Sequence, residues 1–218
     1  MVSGSWLLVS PLHAIVDVEA AARSRLAPLD VAQAFLDGGA RFLQLRAKTL
    51  SSSAFLELAD ACLRIARPHG ASLIVNDRVD IARLSGAAGV HVGQDDLPPA
   101  AARRLLGEGA VIGYSTHSIA QVEAALREPV SYVAVGPVFG THTKSTGYDA
   151  VGLELVSAAV TRAGKVPVVA IGGITLENAQ SVIDAGASAV AVISDLLLGR
   201  DPSGRTRAFL QSLAQNRV

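Results

Sequence analysis

Gln44, Arg46 and Lys48 alternate with apolar neighbours in one short run. On an extended chain alternate residues point the same way, so all three reach one site. Two cations and an amide suit a phosphorylated ligand, because guanidinium and ammonium groups make charge-assisted bonds to phosphate oxygens. A solvated basic loop is the plainer reading, but alternation inside an otherwise apolar strand favours a functional one. Further on, Asn76-Asp77-Arg78 and Gly93-Gln94-Asp95-Asp96 each follow an apolar run. If those runs are neighbouring strands, Asp77 and Asp96 sit side by side. Two carboxylates there suit Mg²⁺, which keeps several waters and takes one or two carboxylates plus substrate phosphate oxygens. Helix capping by Asp96 ahead of Leu97-Pro98-Pro99 explains the same residue without a metal. Asp80 and Asp95 read as structural acids, Asp80 pairing with Arg78 or Arg83.

Three more clusters follow. Ser115-Thr116-His117-Ser118 closes another apolar run, with Ser118 placed to cap a helix and Ser115 placed where Arg46 and Asp77 converge. A lone histidine such as His117 is more often structural than catalytic, and His91, inside an apolar run, reads as a barrel-core residue or one that supports the site from behind. The stretch 136–144, Gly-Pro-Val-Phe-Gly-Thr-His-Thr-Lys, is rich in hydroxyls and glycine. Thr141, Thr143 and Lys144 can wrap a pyrophosphate, and the loop is long enough to close over substrate. Gly172-Gly173-Ile174 and Ile193-Ser194 complete the set. Paired glycines let a ligand approach backbone, and exposed amides beside a short helix near 194–198 form an anion cradle.

These clusters share one position in a repeating pattern. Apolar β-branched runs near 6–9 (or on to 16), 41–46, 72–75, 89–92, 110–114, 131–135, 166–171 and 188–192 read as strands. Helical patterns fall near 28–38, 52–68, 79–84, 97–106, 118–127, 150–163, 175–185 and 202–215. Strict alternation argues for a parallel sheet, and runs apolar on both faces, such as Val166–Ile171, suit buried parallel strands. Gly39-Ala40, Gly86-Ala87 and Gly186-Ala187 repeat one helix-to-strand junction, in which glycine supplies a positive φ. About eight such units predict a single α/β domain over 1–218, a (β/α)8 TIM barrel, in place of an open doubly wound sheet. No GxGxxG follows the first strand, as a dinucleotide fold would require. In a barrel the residues just after each strand share one face, and that face carries the chemistry.

The bulk numbers agree. The 218 residues fit the lower end of the barrel range, and 50% are hydrophobic. With 19 basic and 19 acidic residues the formal net charge is +0. That excludes a broad basic surface for nucleic acid or an anionic membrane. No apolar run reaches the ~18 residues needed to span a bilayer. The single cysteine, Cys62, reads as a small core residue. The expectation is a cytoplasmic enzyme acting on small phosphorylated molecules, with no nucleic-acid or membrane partner; a homodimer is compatible with such a barrel.

The strings QLRAK (44–48), NDRVDIA (76–82), GVHVGQDDL (89–97), IGYSTHS (112–118), GPVFGTHTK (136–144) and PVVAIGGI (167–174) resemble, in order, those of thiamine phosphate synthases. The resemblance implies a transferase that joins hydroxymethylpyrimidine pyrophosphate to a thiazole phosphate, or its carboxylated form, releasing pyrophosphate with Mg²⁺. It implies that Arg46, Lys48, Asn76 and Lys144, helped by Thr141 and Thr143, bind pyrophosphate. Asp77 and Asp96 would hold the metal, Gln44 and Ser115 would contact the aminopyrimidine, and Gly173, Ile193 and Ser194 would bind the thiazole phosphate. Arg46, Lys48, Lys144 and Ser115 form the implied catalytic set. The sequence departs from the family at Trp6–Pro11, in place of an aromatic and an aspartate around the end of strand one, and at Gly140, where proline often precedes the first threonine. A related thiazole tautomerase, an isomerase on the same barrel, is the alternative. It would be free to lose Lys48, Asp77 and Lys144, and all three are present. A non-catalytic phosphate-binding barrel or a phosphosugar isomerase would not need the metal carboxylates or the QLRAK and GPVFGTHTK strings.

Overall fold

The computed structural model describes residues 10–140 and 148–214. Eight strands, β1 (Leu12–Asp17), β2 (Phe42–Arg46), β3 (Ser72–Asn76), β4 (Gly89–Val92), β5 (Val111–Thr116), β6 (Tyr132–Val135), β7 (Val168–Ile171) and β8 (Ala189–Val192), pair in sequence order. They are all parallel, and β8 returns to β1 to close the barrel. Around them lie α1 (Val18–Arg23), α2 (Pro28–Asp37), α3 (Ser52–Ala66), α4 (Val79–Ser85), α5 (Pro99–Leu106), α6 (Ile119–Ala125), α7 (Gly152–Ala163), α8 (Ala179–Asp184) and α9 (Pro202–Ala214). The predicted barrel is correct. The predicted helix near 194–198 is a 3₁₀ segment, Ser194–Arg200, with a break in helical geometry at Leu198 and Gly199.

The repeated junction works as its sequence implies. Gly39, Gly86 and Gly186 have φ of 102°, 71° and 99°. At the first, Gly39 N–H donates to Leu36 O and Ala40 N–H to Phe35 O, both at 2.9 Å, which closes the last helical carbonyls before β2 begins. The next residues then enter the barrel wall with no loop to spare.

Packing divides into two shells. Outward strand residues such as Leu43, Leu45 and Val75 meet Phe35, Phe55 and Phe209 of the helices, all at most 1% exposed. Each such aromatic contributes roughly 1.5–3 kcal/mol by leaving water. Cys62 belongs to this shell, and burial pushes its thiol up to about 12, so it is inert packing. The inward shell holds Ile15, Phe42, Ile74, Val111, Tyr132, Ala134, Val169 and Ala191. Because a strand alternates its faces, the residues two or four places on from these also point inward. They include Asp17, Gln44, Arg46, Asn76, Ser115 and Ile193, so the fold delivers the polar clusters to one rim.

The first strand favours the longer of the two sequence readings, the one running on to residue 16. Residues 6–9 lie outside the described residues, and the strand beside β2 and β8 is Leu12–Asp17. It ends in an aspartate after all. The chain passes directly from Asp17 into α1, which the sequence reading left unassigned. Pro11 precedes the strand, where it removes no interior ladder donor.

Candidate functional site

Asp17 begins the rim. Its Oδ1 accepts from Ala20 N–H at 2.7 Å and caps α1, while Oδ2 lies 2.5 Å from Arg46 Nη1. Arg46 also lies 3.5 Å from Glu19 Oε2. The Glu19 Oε1 accepts from Lys48 N–H and Thr49 N–H, both at 3.1 Å, and from Thr49 Oγ1 at 2.9 Å. Burial alone would raise the Glu19 pKa, but the Thr49 bonds and the Arg46 charge outweigh it and hold the carboxyl below its ordinary value. Glu19 thus fastens the turn after β2 to α1. Arg46 is oriented by acids that the sequence reading did not find, so it is a held guanidinium and not a loose surface cation.

Lys48 reaches the other way. Its Nζ lies 2.5 Å from Asp77 Oδ2. Asp77 follows β3, its backbone pinned by an N–H bond of 2.8 Å to His91 O, and it holds a φ of 64°. A non-glycine residue in that region is strained and tends to mark a functional position. Burial raises the Asp77 carboxyl, Lys48 lowers it, and the neighbouring Asp96 raises it again, leaving it above its ordinary value. Asp77 and Asp96 therefore stand together, as their strand ends predict. The capping alternative for Asp96 fails: α5 starts at Pro99 with Pro98 as cap, and Asp96 Oδ2 accepts from Gly93 N–H at 2.7 Å. Asp80 is indeed structural, bonded to Arg78 Nε at 2.8 Å.

Two adjacent acids crowding one another and a lysine form an oxygen donor set with excess negative charge. That fits a hard divalent cation whose remaining ligands come from water and phosphate. Among the described residues no third His, Cys, Asp or Glu joins them in a metal cluster. The pair suits Mg²⁺ shared with a ligand better than a closed protein cage.

A cavity of about 440 Å³ opens on the opposite side of the rim. Ser115, His117, Gly136, Gly173, Ile193 and Ser194 are among its walls. Gly172 and Gly173, with φ of 100° and 65°, turn the backbone there. A Cβ on Gly173 would stand 2.7 Å from Gly140 O, so only glycine lets these loops meet. Below, Asp195 is buried and accepts from Leu176 N–H at 3.2 Å and from Arg205 at 2.7 Å and 3.0 Å. It ties the β7 and β8 loops together. His117 Nδ1–H donates to Gly136 O at 2.5 Å, and the ring stacks on Tyr148 at 3.7 Å.

Thus Ser115, Gly173, Ile193 and Ser194 share one cavity wall, and Lys48, Asp77 and Asp96 form one cluster. Asn76, 6% exposed at the end of β3, and Gln44, 3% exposed on β2, lie inside the barrel mouth. The expected pyrophosphate residues Thr141, Thr143 and Lys144 lie outside the described residues. Sequence reasoning missed Asp17, Glu19, His13 and Tyr132. For Asp17 a usable signal existed, since it stands two residues before Glu19 at the foot of an Ala-rich helical run.

Three comparisons bear on this geometry. The sequence profile described as thiamine monophosphate synthase matches residues 12–196. A thiamine-phosphate synthase of Roseiflexus castenholzii is 42% identical over 94% of this chain and 88% of its own length. One from Koribacter versatilis is 44% identical over 96% of this chain and 98% of its own. The solved thiamine phosphate pyrophosphorylase of Pyrococcus furiosus superposes with a TM-score of 0.85 at 29% identity, covering 95% of this chain and 97% of that one.

Proposed function

The chain belongs to the thiamine monophosphate synthase family, and from that premise we propose how its rim divides between two phosphorylated substrates. It is a transferase of thiamine biosynthesis, and the tautomerase alternative finds no support among the relatives. The reaction joins 4-amino-2-methyl-5-hydroxymethylpyrimidine pyrophosphate to a thiazole phosphate and releases pyrophosphate.

The observation that carries the division is the Lys48–Asp77–Asp96 cluster standing apart from the cavity that Gly173, Ile193 and Ser194 line. In this reading Arg46, Lys48, Asn76 and Lys144, with Thr141 and Thr143, hold the pyrophosphate that departs. Asp77 and Asp96 hold Mg²⁺, which when bound supplies positive charge to the pyrophosphate oxygens. Gly173, Ile193 and Ser194 cradle the phosphate that stays on the thiazole. Gln44 and Ser115 meet the aminopyrimidine.

The chain's residues then act mainly by position and charge. Arg46, fixed by Asp17 and Glu19, presents a guanidinium without first losing side-chain freedom. Lys48 can exchange its Asp77 contact for a phosphate oxygen as substrate arrives. The electron-rich pyrimidine stabilises the methylene cation left when its C–O bond breaks, and the thiazole nitrogen attacks that carbon. No protein nucleophile or strong general base is required, so orientation and stabilisation of departing charge dominate. The test is incubation with Mg²⁺ and both substrates. Equal yields of thiamine phosphate and pyrophosphate are expected; tautomerisation of a thiazole carboxylate phosphate with no coupling would reverse the assignment.

A further inference from the structure

Beneath the rim, four polar side chains run in a line through the barrel. Tyr132 Oη lies 2.9 Å from His91 Nδ1, His91 Nε2 lies 2.8 Å from Ser115 Oγ, and the Gln44 amide acts on the Tyr132 hydroxyl in the sense that favours its charged form. Gln44 Oε1 is buried with no partner. An amide that favours the phenolate presents its N–H end, so Gln44 turns its N–H and not its oxygen toward the phenol. A phenol has one proton, and burial pushes the Tyr132 pKa up, so it stays protonated and that proton goes to His91 Nδ1. A neutral imidazole that accepts at Nδ1 carries its proton on Nε2 and donates it to Ser115 Oγ. The Ser115 proton is then free to donate elsewhere. The line has a direction, from Gln44 to Ser115.

We propose that His91 and Tyr132 are positioning residues that set the hydrogen-bond polarity of the ring subsite, holding Gln44 Oε1 as an acceptor and the Ser115 hydroxyl as a donor. The consequence is selection for a heteroaromatic ring that offers an amino N–H to Gln44 and a ring nitrogen to Ser115. An oxo ring, with a carbonyl in place of the amino group, would set oxygen against Gln44 Oε1. The proposal rests on reading Gln44 and Ser115 as ring contacts.

The surroundings are built for this line. A Cβ on Gly113 would come 2.2 Å from the Tyr132 ring and 2.4 Å from His91 Nδ1, so glycine there makes the room. The His91 and Tyr132 rings stack at 5.5 Å, and His13 sets its edge against Tyr132 at 5.3 Å. These contacts fix the two rings, but none of them dictates which nitrogen of His91 carries the proton.

The first test is the ¹⁵N spectrum of histidine-labelled wild-type protein without substrate, with His91 identified by the signal lost in His91→Gln. The Nε2–H tautomer is expected; an Nδ1–H tautomer overturns the proposal. The second is the ratio of kcat/KM for the amino pyrimidine pyrophosphate to that for its 4-oxo analogue. Tyr132→Phe frees the Gln44 amide to turn over, and the ratio should fall about tenfold or more, the size of one mismatched buried hydrogen bond. His91→Leu should lower it similarly. His91→Gln places an amide N–H near the original Nε2 and should restore most of it. An unchanged ratio in folded Tyr132→Phe overturns the proposal, because simple loss of packing would slow both substrates alike. If wild-type protein couples neither ring, the functional reading falls, and the tautomer alone decides the direction of the line.

Discussion

Replacing Asp17 separates two roles of one carboxylate. The side chain is 2% exposed; Oδ1 caps α1 at 2.7 Å and Oδ2 holds Arg46 at 2.5 Å. Asp17→Asn keeps a good N-cap acceptor but removes the charge facing Arg46. A hydrogen bond to a charged group contributes about 1.5–3 kcal/mol. Arg46 keeps Glu19 at 3.5 Å and is 16% exposed, so water and Glu19 recover part, and the loss should lie near the lower end, about 1.5 kcal/mol. Asp17→Ala also loses the cap, a further ~1 kcal/mol. At roughly 3 °C per kcal/mol for a domain of this size, calorimetry at pH 7 should show Tm falling by about 4 °C and about 8 °C. The KM for the pyrimidine pyrophosphate should rise alike in both variants, because it follows the Arg46 anchor and not the cap. Equal stabilities of the two variants, or an unchanged KM in Asp17→Asn, would refute the reasoning.

Three other outcomes are expected. Lys48→Ala, Asp77→Ala and Lys144→Ala should each cut turnover about 10²-fold, as loss of one stabiliser of departing charge does; near-normal steady-state rates in Asp77→Ala and Lys144→Ala would contradict the mechanism. Gly113→Ala should cost about 1–3 kcal/mol in urea unfolding, since its methyl overlaps the Tyr132 ring and His91; full stability would show that the barrel interior yields more easily than its packing implies. His13 is fully buried, and desolvation, with the nearby His91, lowers its pKa from 6.5 to about 3. The unfolded chain therefore binds the extra proton first, and stability should fall as pH drops below 6.5, by about 2–3 kcal/mol at pH 4.5. His13→Phe should remove most of that slope in urea titrations at pH 7 and 4.5, and an identical slope would count against the assignment.

Much of this was legible in residue order. The barrel follows from apolar runs alternating with helical patterns, because a parallel strand buried on both faces has no polar side to hide. Asp77 and Asp96 were legible as a pair because both end consecutive strands. Strand one was not. The apolar run ending at Val9 competed with Leu12–Asp17, and Asp17 runs into α1 without the Gly or Pro that marks a turn. Tyr132 was missed for another reason: a tyrosine in an apolar strand reads as core, and its partners Gln44 and His91 are 88 and 41 residues distant in the chain. Only closure of the barrel brings them together. Helix starts slipped where proline chose them: α5 begins at Pro99, since proline fits the first helical turn, and not at Leu97.

The division of the rim is tested most directly by a crystal structure of the protein with Mg²⁺, thiamine phosphate and pyrophosphate bound together. The account predicts pyrophosphate and metal against Arg46, Lys48, Asp77 and Asp96, and the thiamine phosphoryl group at the amides of Gly173, Ile193 and Ser194. Pyrophosphate at the Gly173–Ser194 cradle, with Asp77 and Asp96 free of metal, would contradict it.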